Sequence, residues 1–185
     1  YTAAVVYALG SFLEERFPHE ETPFYTAFFS SAGVEEAVKF LFLFFLIWGN
    51  RNFNEPLDGI VYGVFVSLGF AWAENVIYVT HPILGGYETA LERALLSVPG
   101  HGLFGVRMGY YFALGKYRNR KRYLPLAFFS PYLAHALYNY FLLKREPVFW
   151  LFFSVLEVRL WVFGLKRIKE LQNCSPFREK VSKES

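Results

Sequence analysis

Most of this chain is divided into apolar blocks, several of them close to the length of a bilayer span, and among the ionisable side chains inside those blocks five carboxyl and imidazole groups stand out. The blocks are Tyr1–Leu13, Phe24–Trp48, Leu57–Thr80, Thr89–Gly115, Tyr123–Leu143 and Val148–Leu165. A helix needs roughly 20 apolar residues to cross hydrocarbon, so the last five are long enough and the first is too short. The pattern predicts an all-α, polytopic transmembrane helix bundle with five full spanning helices plus a truncated N-terminal helix. Residues 1–165 are expected to form a single membrane domain, and residues 166–185 a charged tail. Composition argues against the alternative of a soluble helical bundle. At 54% hydrophobic and 21% aromatic, with 22 Phe, too little polar surface is left to cover such a core.

Charge placement orients the bundle. Of 19 Lys and Arg, 12 fall on one side when the blocks are alternated, chiefly in Lys116–Arg122 and in the tail. Basic residues beside spans mark the cytoplasmic face. The tail, with Arg118 and Lys169, is therefore expected inside, and the acidic Glu14–Pro23 loop outside. A net charge of +3 arranged this way is a membrane-flanking pattern and implies no nucleic-acid partner. Cys174 is the single cysteine, so no intrachain disulfide can form.

The five that stand out are Glu35, Glu36, Glu74, His101 and His135. A charge at the bilayer centre costs about 2.5–3.5 kcal/mol on insertion scales, so such groups need partners or a function. Glu35 and Lys39 are four residues apart and Glu36 and Lys39 three, both on one helical face, so one carboxylate can be neutralised and the other left available. Glu74 is followed by Asn75 and shares a face with Tyr78. Pro99 and Gly100 precede His101 and are expected to interrupt its helix, as Pro131 precedes His135; Asn139 shares a face with His135. Counted from the expected outer ends, these groups lie roughly 9–18 Å deep, which predicts one polar cavity opening outward. Gly59, Gly63 and Ser67, and Gly105, Gly109 and Ala113, form two small-residue faces suited to close helix approach. Glu92 and Arg93 are read as residues near the outer interface, Arg107 as snorkelling inward, and Glu157 as pairing with a neighbour such as Arg107.

Together, Glu35-Glu36-x-x-Lys39, Phe70-x-x-x-Glu74-Asn75, His101 and His135-x-x-x-Asn139 resemble the ordered motifs of the PrsW family of intramembrane proteases. The resemblance runs from about Gly33 to Asn139. The related CAAX prenyl proteases share the double Glu and the final His-x-x-x-Asn but carry His where this chain has Glu74. The resemblance implies an integral protein, in a prokaryotic cell membrane, that cleaves a membrane-protein or peptide substrate of anti-sigma-factor type on the extracytoplasmic side.

Peptide hydrolysis needs an activated water, a stabilised oxyanion and a proton for the leaving amine. In one design a Glu of the pair, Glu36 slightly before Glu35, is the base. His101 and His135 then polarise the carbonyl or protonate the amine, and Asn139 or Asn75 donates to the oxyanion. In the other, Zn²⁺ is held by His101, His135 and Glu74 and supplies the nucleophilic water. The metal-free design is preferred, because the ligands would come from three separate helices and no His-Glu-x-x-His is present. A proton-coupled transporter or a non-catalytic membrane scaffold could use the same Glu/His cluster. A transporter would continue its polar residues through both leaflets, whereas here the inner halves of the central blocks are mostly apolar residues and glycine.

Overall fold

The computed structural model describes residues 22–80, 86–118 and 121–177. The block Tyr1–Leu13 and most of the acidic loop after it lie outside the described residues. Those residues are helical throughout apart from turns and short connections.

The chain enters through one helical turn, Pro23–Tyr25, and widens into a π-helical stretch, Thr26–Gly33. It then tightens into α1, Val34–Ile47. The single block of the sequence is thus two helical forms end to end, and the change falls directly before the paired carboxylates. After a short connection comes α2, Pro56–Thr80. Proline suits its first position, where no intrahelical N–H is needed. The Asp58 carboxylate reaches back to the Asn54 and Glu55 amides at 2.9 and 3.0 Å, closing the helix start.

The block Thr89–Gly115 is divided into α3, Gly86–Leu95, and α4, Ser97–Tyr117. The interruption lies at Leu96 rather than at Pro99–Gly100. Pro99 falls in the first turn of α4, where its missing N–H leaves nothing unpaired, so it starts a helix instead of breaking one. Pro131 does lie inside its helix, α5, Tyr123–Lys144. Arg145 closes α5 in the left-handed conformation (φ 52°), turning the chain sharply into α6, Pro147–Asn173.

The central helix is α4, with α2, α3, α5 and α6 around it. Its contact with α2 is the most extensive in the fold. The two small-residue faces meet there. A methyl group built on Gly59 would stand 2.6 Å from the Gly109 carbonyl oxygen, and one on Gly63 would stand 2.5 Å from that of Gly105. Backbone therefore lies on backbone along this seam, which only glycine permits. Beyond the polar residues, towards the C-terminal ends of α1 and α4, Leu43, Met108, Phe112 and Ala127 are fully buried in an apolar cluster.

Two of these helices, α2 and α6, are long and apolar enough to cross a membrane by length and composition. α4 and α5 fall below that level; α4 is enclosed by its partners and carries His101 buried within the bundle. Large apolar side chains point outward instead, among them Phe45 (77% exposed), Phe65 (72%) and Trp72 (70%), as expected of a bundle solvated by lipid. Arg107 donates to Ser130 at 3.0 Å and stacks on Phe163. Glu157 accepts from Trp161 at 3.0 Å rather than pairing with Arg107, since one helical turn brings the indole to it on α6.

Candidate active site

Four elements bring the polar groups together. α1 supplies Glu35, Glu36 and Lys39; α2 supplies Glu74; α4 supplies His101; α5 supplies His135 and Asn139. Glu35, Glu36, Lys39, His101 and His135 are all buried. His101 and His135 have ring centroids 5.1 Å apart.

Hydrogen bonds divide the two adjacent glutamates into different positions. Glu36 Oε1 receives Lys39 Nζ at 2.7 Å and lies 2.8 Å from His135 Nδ1. Glu35 Oε1 receives the Ser31 hydroxyl at 2.9 Å, and Ser31 in turn accepts from Asn139 Nδ2 at 2.9 Å. Glu35 Oε2 has no hydrogen-bond partner and is 3.6 Å from Lys39 Nζ. Lys39 Nζ also lies 2.8 Å from His101 Nδ1 and sits over the Phe70 ring.

Donor and acceptor chemistry then fixes both imidazoles. An ammonium has only donors, so His101 Nδ1 accepts and the neutral ring carries its proton on Nε2. A carboxylate has only acceptors, so His135 donates Nδ1–H to Glu36, and its neutral ring has the lone pair on Nε2. With both rings neutral, the site holds one histidine with a proton to give and one with a lone pair to offer.

A cavity of about 230 Å³ is lined by Ser31, Glu35, Glu74, Arg93, His101, His135 and Asn139 among others. A larger one, about 570 Å³, shares Arg93, His101, His135 and Asn139 with it and extends between α3, α5 and α6 to Arg145 and Trp150. Glu36 contributes to neither lining. Glu74 is ion-paired with Arg93 at 2.7 Å, and its Oε2 is 3.4 Å from His101 Nε2. Asn75 accepts from Arg93 rather than facing the histidines.

Residues 1–164 match the sequence profile of the family described as PrsW family intramembrane metalloprotease. The chain belongs to the PrsW family. It is 40% identical over 152 residues to Protease PrsW of Geobacillus kaustophilus, covering 80% of this chain and 65% of that protein. It is 41% identical over 148 residues to Protease PrsW of Oceanobacillus iheyensis, covering 79% of this chain and 67% of that protein. Against Protease PrsW of Bacillus subtilis it is 37% identical over 154 residues, 81% of this chain and 68% of that protein. The chain therefore spans about two thirds of the length of these relatives. No solved structure matches it. Family and apolar helices together make it an integral membrane protein of bacterial type.

The PrsW description names a metal, and the side chains offer a test of it. Glu35, His101 and His135 each present one ligand atom within 4.8 Å of the others. Two imidazoles and a carboxylate are a known catalytic zinc set. The carboxylate that groups with the histidines in this way is Glu35, whereas Glu74 is paired with Arg93. His135, oriented by Glu36, has the support a metal-binding histidine requires. His101 does not, as bonded here, because Lys39 occupies Nδ1 and Nε2 carries the proton. Number, kind and spacing fit a divalent cation, provided that a proton leaves the Lys39–His101 pair.

Two residues at the site escaped the sequence reading. Ser31 had a signal, since it stands four residues before Glu35 and so shares its face. Arg93 had none beyond being a cation near a span end.

Proposed function

We propose that this chain is an intramembrane endopeptidase in which Glu35 is the general base. One observation carries the choice: of the three carboxylates, Glu36 and Glu74 each hold a cation at 2.7 Å, whereas Glu35, which lines the cavity, has Lys39 only at 3.6 Å. In this reading Glu35 takes a proton from a water in the cavity while His135 Nε2 accepts the water's other hydrogen. The water oxygen bonds to the scissile carbonyl carbon, and His101 Nε2–H stabilises the oxyanion. The carbonyl re-forms, the C–N bond breaks, and Glu35 returns its proton to the leaving amine. Glu36 and Lys39 keep both imidazoles in the required tautomers. Glu74 and Asn75 hold Arg93, and Asn139 holds Ser31 against Glu35.

The substrate in this reading is a single-span membrane protein, of the anti-sigma-factor kind, cut near the extracytoplasmic side. The apolar cluster inward of the site supports a one-sided cavity and weighs against a proton-coupled transporter, which would need a polar path beyond it. With this orientation, cysteines introduced at positions 118 and 169 react with an impermeant thiol reagent only after the cells are opened. Labelling in intact cells would reverse the topology and the side of cleavage.

A second reading is favoured by the Glu35, His101 and His135 grouping and by the family description. Those three residues would hold Zn²⁺, which when bound lowers the pKa of its water and supplies the nucleophile. Purified protein reconstituted in liposomes with a quenched-fluorescent single-span peptide separates the two. With Glu35 as base, chelator leaves the cleavage rate within about twofold. Loss of cleavage with chelator, restored by Zn²⁺ and accompanied by stoichiometric bound zinc that His135→Ala removes, would establish the metal reading instead.

A further inference from the structure

Six side chains at the site form one continuous chain of contacts. From Arg93 it runs to Glu74 (2.7 Å), from Glu74 to His101 (3.4 Å), and from His101 to Lys39 (2.8 Å). It continues from Lys39 to Glu36 (2.7 Å) and from Glu36 to His135 (2.8 Å). The order is cation, carboxylate, imidazole, repeated twice. Lys39 lies within the paired-glutamate motif; Arg93 belongs to no motif and comes from a separate short helix.

Arg93 is held at four points. It is ion-paired with Glu74, donates Nε–H to Asn75 Oδ1 at 2.9 Å and Nη2–H to Ser97 Oγ at 3.2 Å, and lies 4.0 Å over the Tyr78 ring. These contacts join α3 to α2 and α4. A planar guanidinium with several fixed donors is suited to holding a carboxylate in one orientation. The Glu74 carboxylate it holds stops 3.4 Å short of His101 Nε2, too far for a strong hydrogen bond.

We propose that Arg93 is a positioning residue that acts through Glu74 on His101, as Lys39 acts through Glu36 on His135. By anchoring Glu74 it keeps the carboxylate from closing on His101 Nε2–H, so that this proton stays free for the substrate carbonyl. Without Arg93, Glu74 Oε2 is free to close the 3.4 Å to His101 Nε2–H, and a charge-assisted bond there sequesters His101. The inference rests on the peptidase reading for its consequence in catalysis and on geometry alone for its effect on His101.

The test therefore has two readouts. In protein labelled with ¹⁵N-histidine, Arg93→Gln is expected to move the His101 Nε2–H proton resonance downfield as its bond to Glu74 shortens, and Arg93→Lys to leave it near the wild-type position. With the reconstituted single-span peptide, Arg93→Gln is expected to lower kcat by about 10²-fold with KM within about threefold, as when a reacting group is misplaced; Arg93→Lys restores most of it. If wild-type protein cleaves nothing while the resonance moves as stated, the peptidase reading fails and the positioning role stands. An unmoved resonance in Arg93→Gln would overturn the inference, as would a loss of rate that tracks loss of folded protein equally in the Gln and Lys variants.

Discussion

Glu35→Gln is expected to lower cleavage of the single-span peptide by about 10²–10⁴-fold, the range for loss of a general base, while the protein melts near the wild-type temperature. The change is isosteric and keeps an acceptor for the Ser31 hydroxyl, which bonds Glu35 Oε1 at 2.9 Å. It removes the one carboxylate at the site without a close cation. The neighbouring change behaves differently. Glu36→Gln leaves Lys39 and the His135 ring facing a neutral amide at the point where both now meet a carboxylate oxygen, at 2.7 and 2.8 Å. Breaking a fully buried ion pair costs about 3–5 kcal/mol, so Glu36→Gln loses stability as well as activity. Thermal unfolding and initial rates on the same preparations separate the two variants. Should Glu35→Gln still cleave, and Glu36→Gln be inactive yet melt like wild type, the base is Glu36.

The second large effect lies on the α2–α4 seam. Gly109→Leu is expected to prevent folding, because even the first carbon of the new side chain would meet the Gly59 backbone. Gly63→Ala meets the Gly105 carbonyl oxygen at 2.5 Å and is expected to cost about 1–3 kcal/mol, as overpacking does. On the same helix, Gly69→Ala meets nothing within 4 Å and should be neutral or stabilising by up to about 1 kcal/mol. Yield of folded protein and melting temperature in detergent give the comparison. Equal tolerance at positions 69 and 109 would mean that the two helices are not in backbone contact.

The seam also illustrates what was legible in the sequence. Glycines four residues apart on α2 and on α4 announced two close-packing faces, because period and residue size are local properties. That the two faces pack against each other was not written in either. Convergence of Glu35, His101 and His135 was likewise legible, because isolated buried charges are too costly to scatter. Which glutamate faces the cavity was not. Adjacent helical residues point about 100° apart, and the rotation at Glu35 depends on the π-helical stretch that ends at Gly33, which apolar periodicity does not reveal. Arg93 was hidden for a related reason: its role exists only once α3 folds back against α2 and α4, and a lone arginine at the end of an apolar block reads as an interfacial anchor. The break before α4 was misplaced by three residues because a proline near the start of a helix and one that ends a helix look alike until the flanking turn is known.

The ion pairs that Lys39 makes three and four residues away bear on the order in which the protein is made. α1 carries its own counter-charge, so as it leaves the ribosome it can partition into lipid with its carboxylates already compensated. His101 follows Lys39 by 62 residues, and His135 follows Glu36 by 99. A nascent chain that has emitted α1 and α2 therefore holds the carboxylates and the lysine of the site but neither His101 nor His135. On the proposed reading the hydrolytic site is complete only when α5 joins the bundle, so the order of synthesis itself would keep the half-made protein inert toward its membrane neighbours.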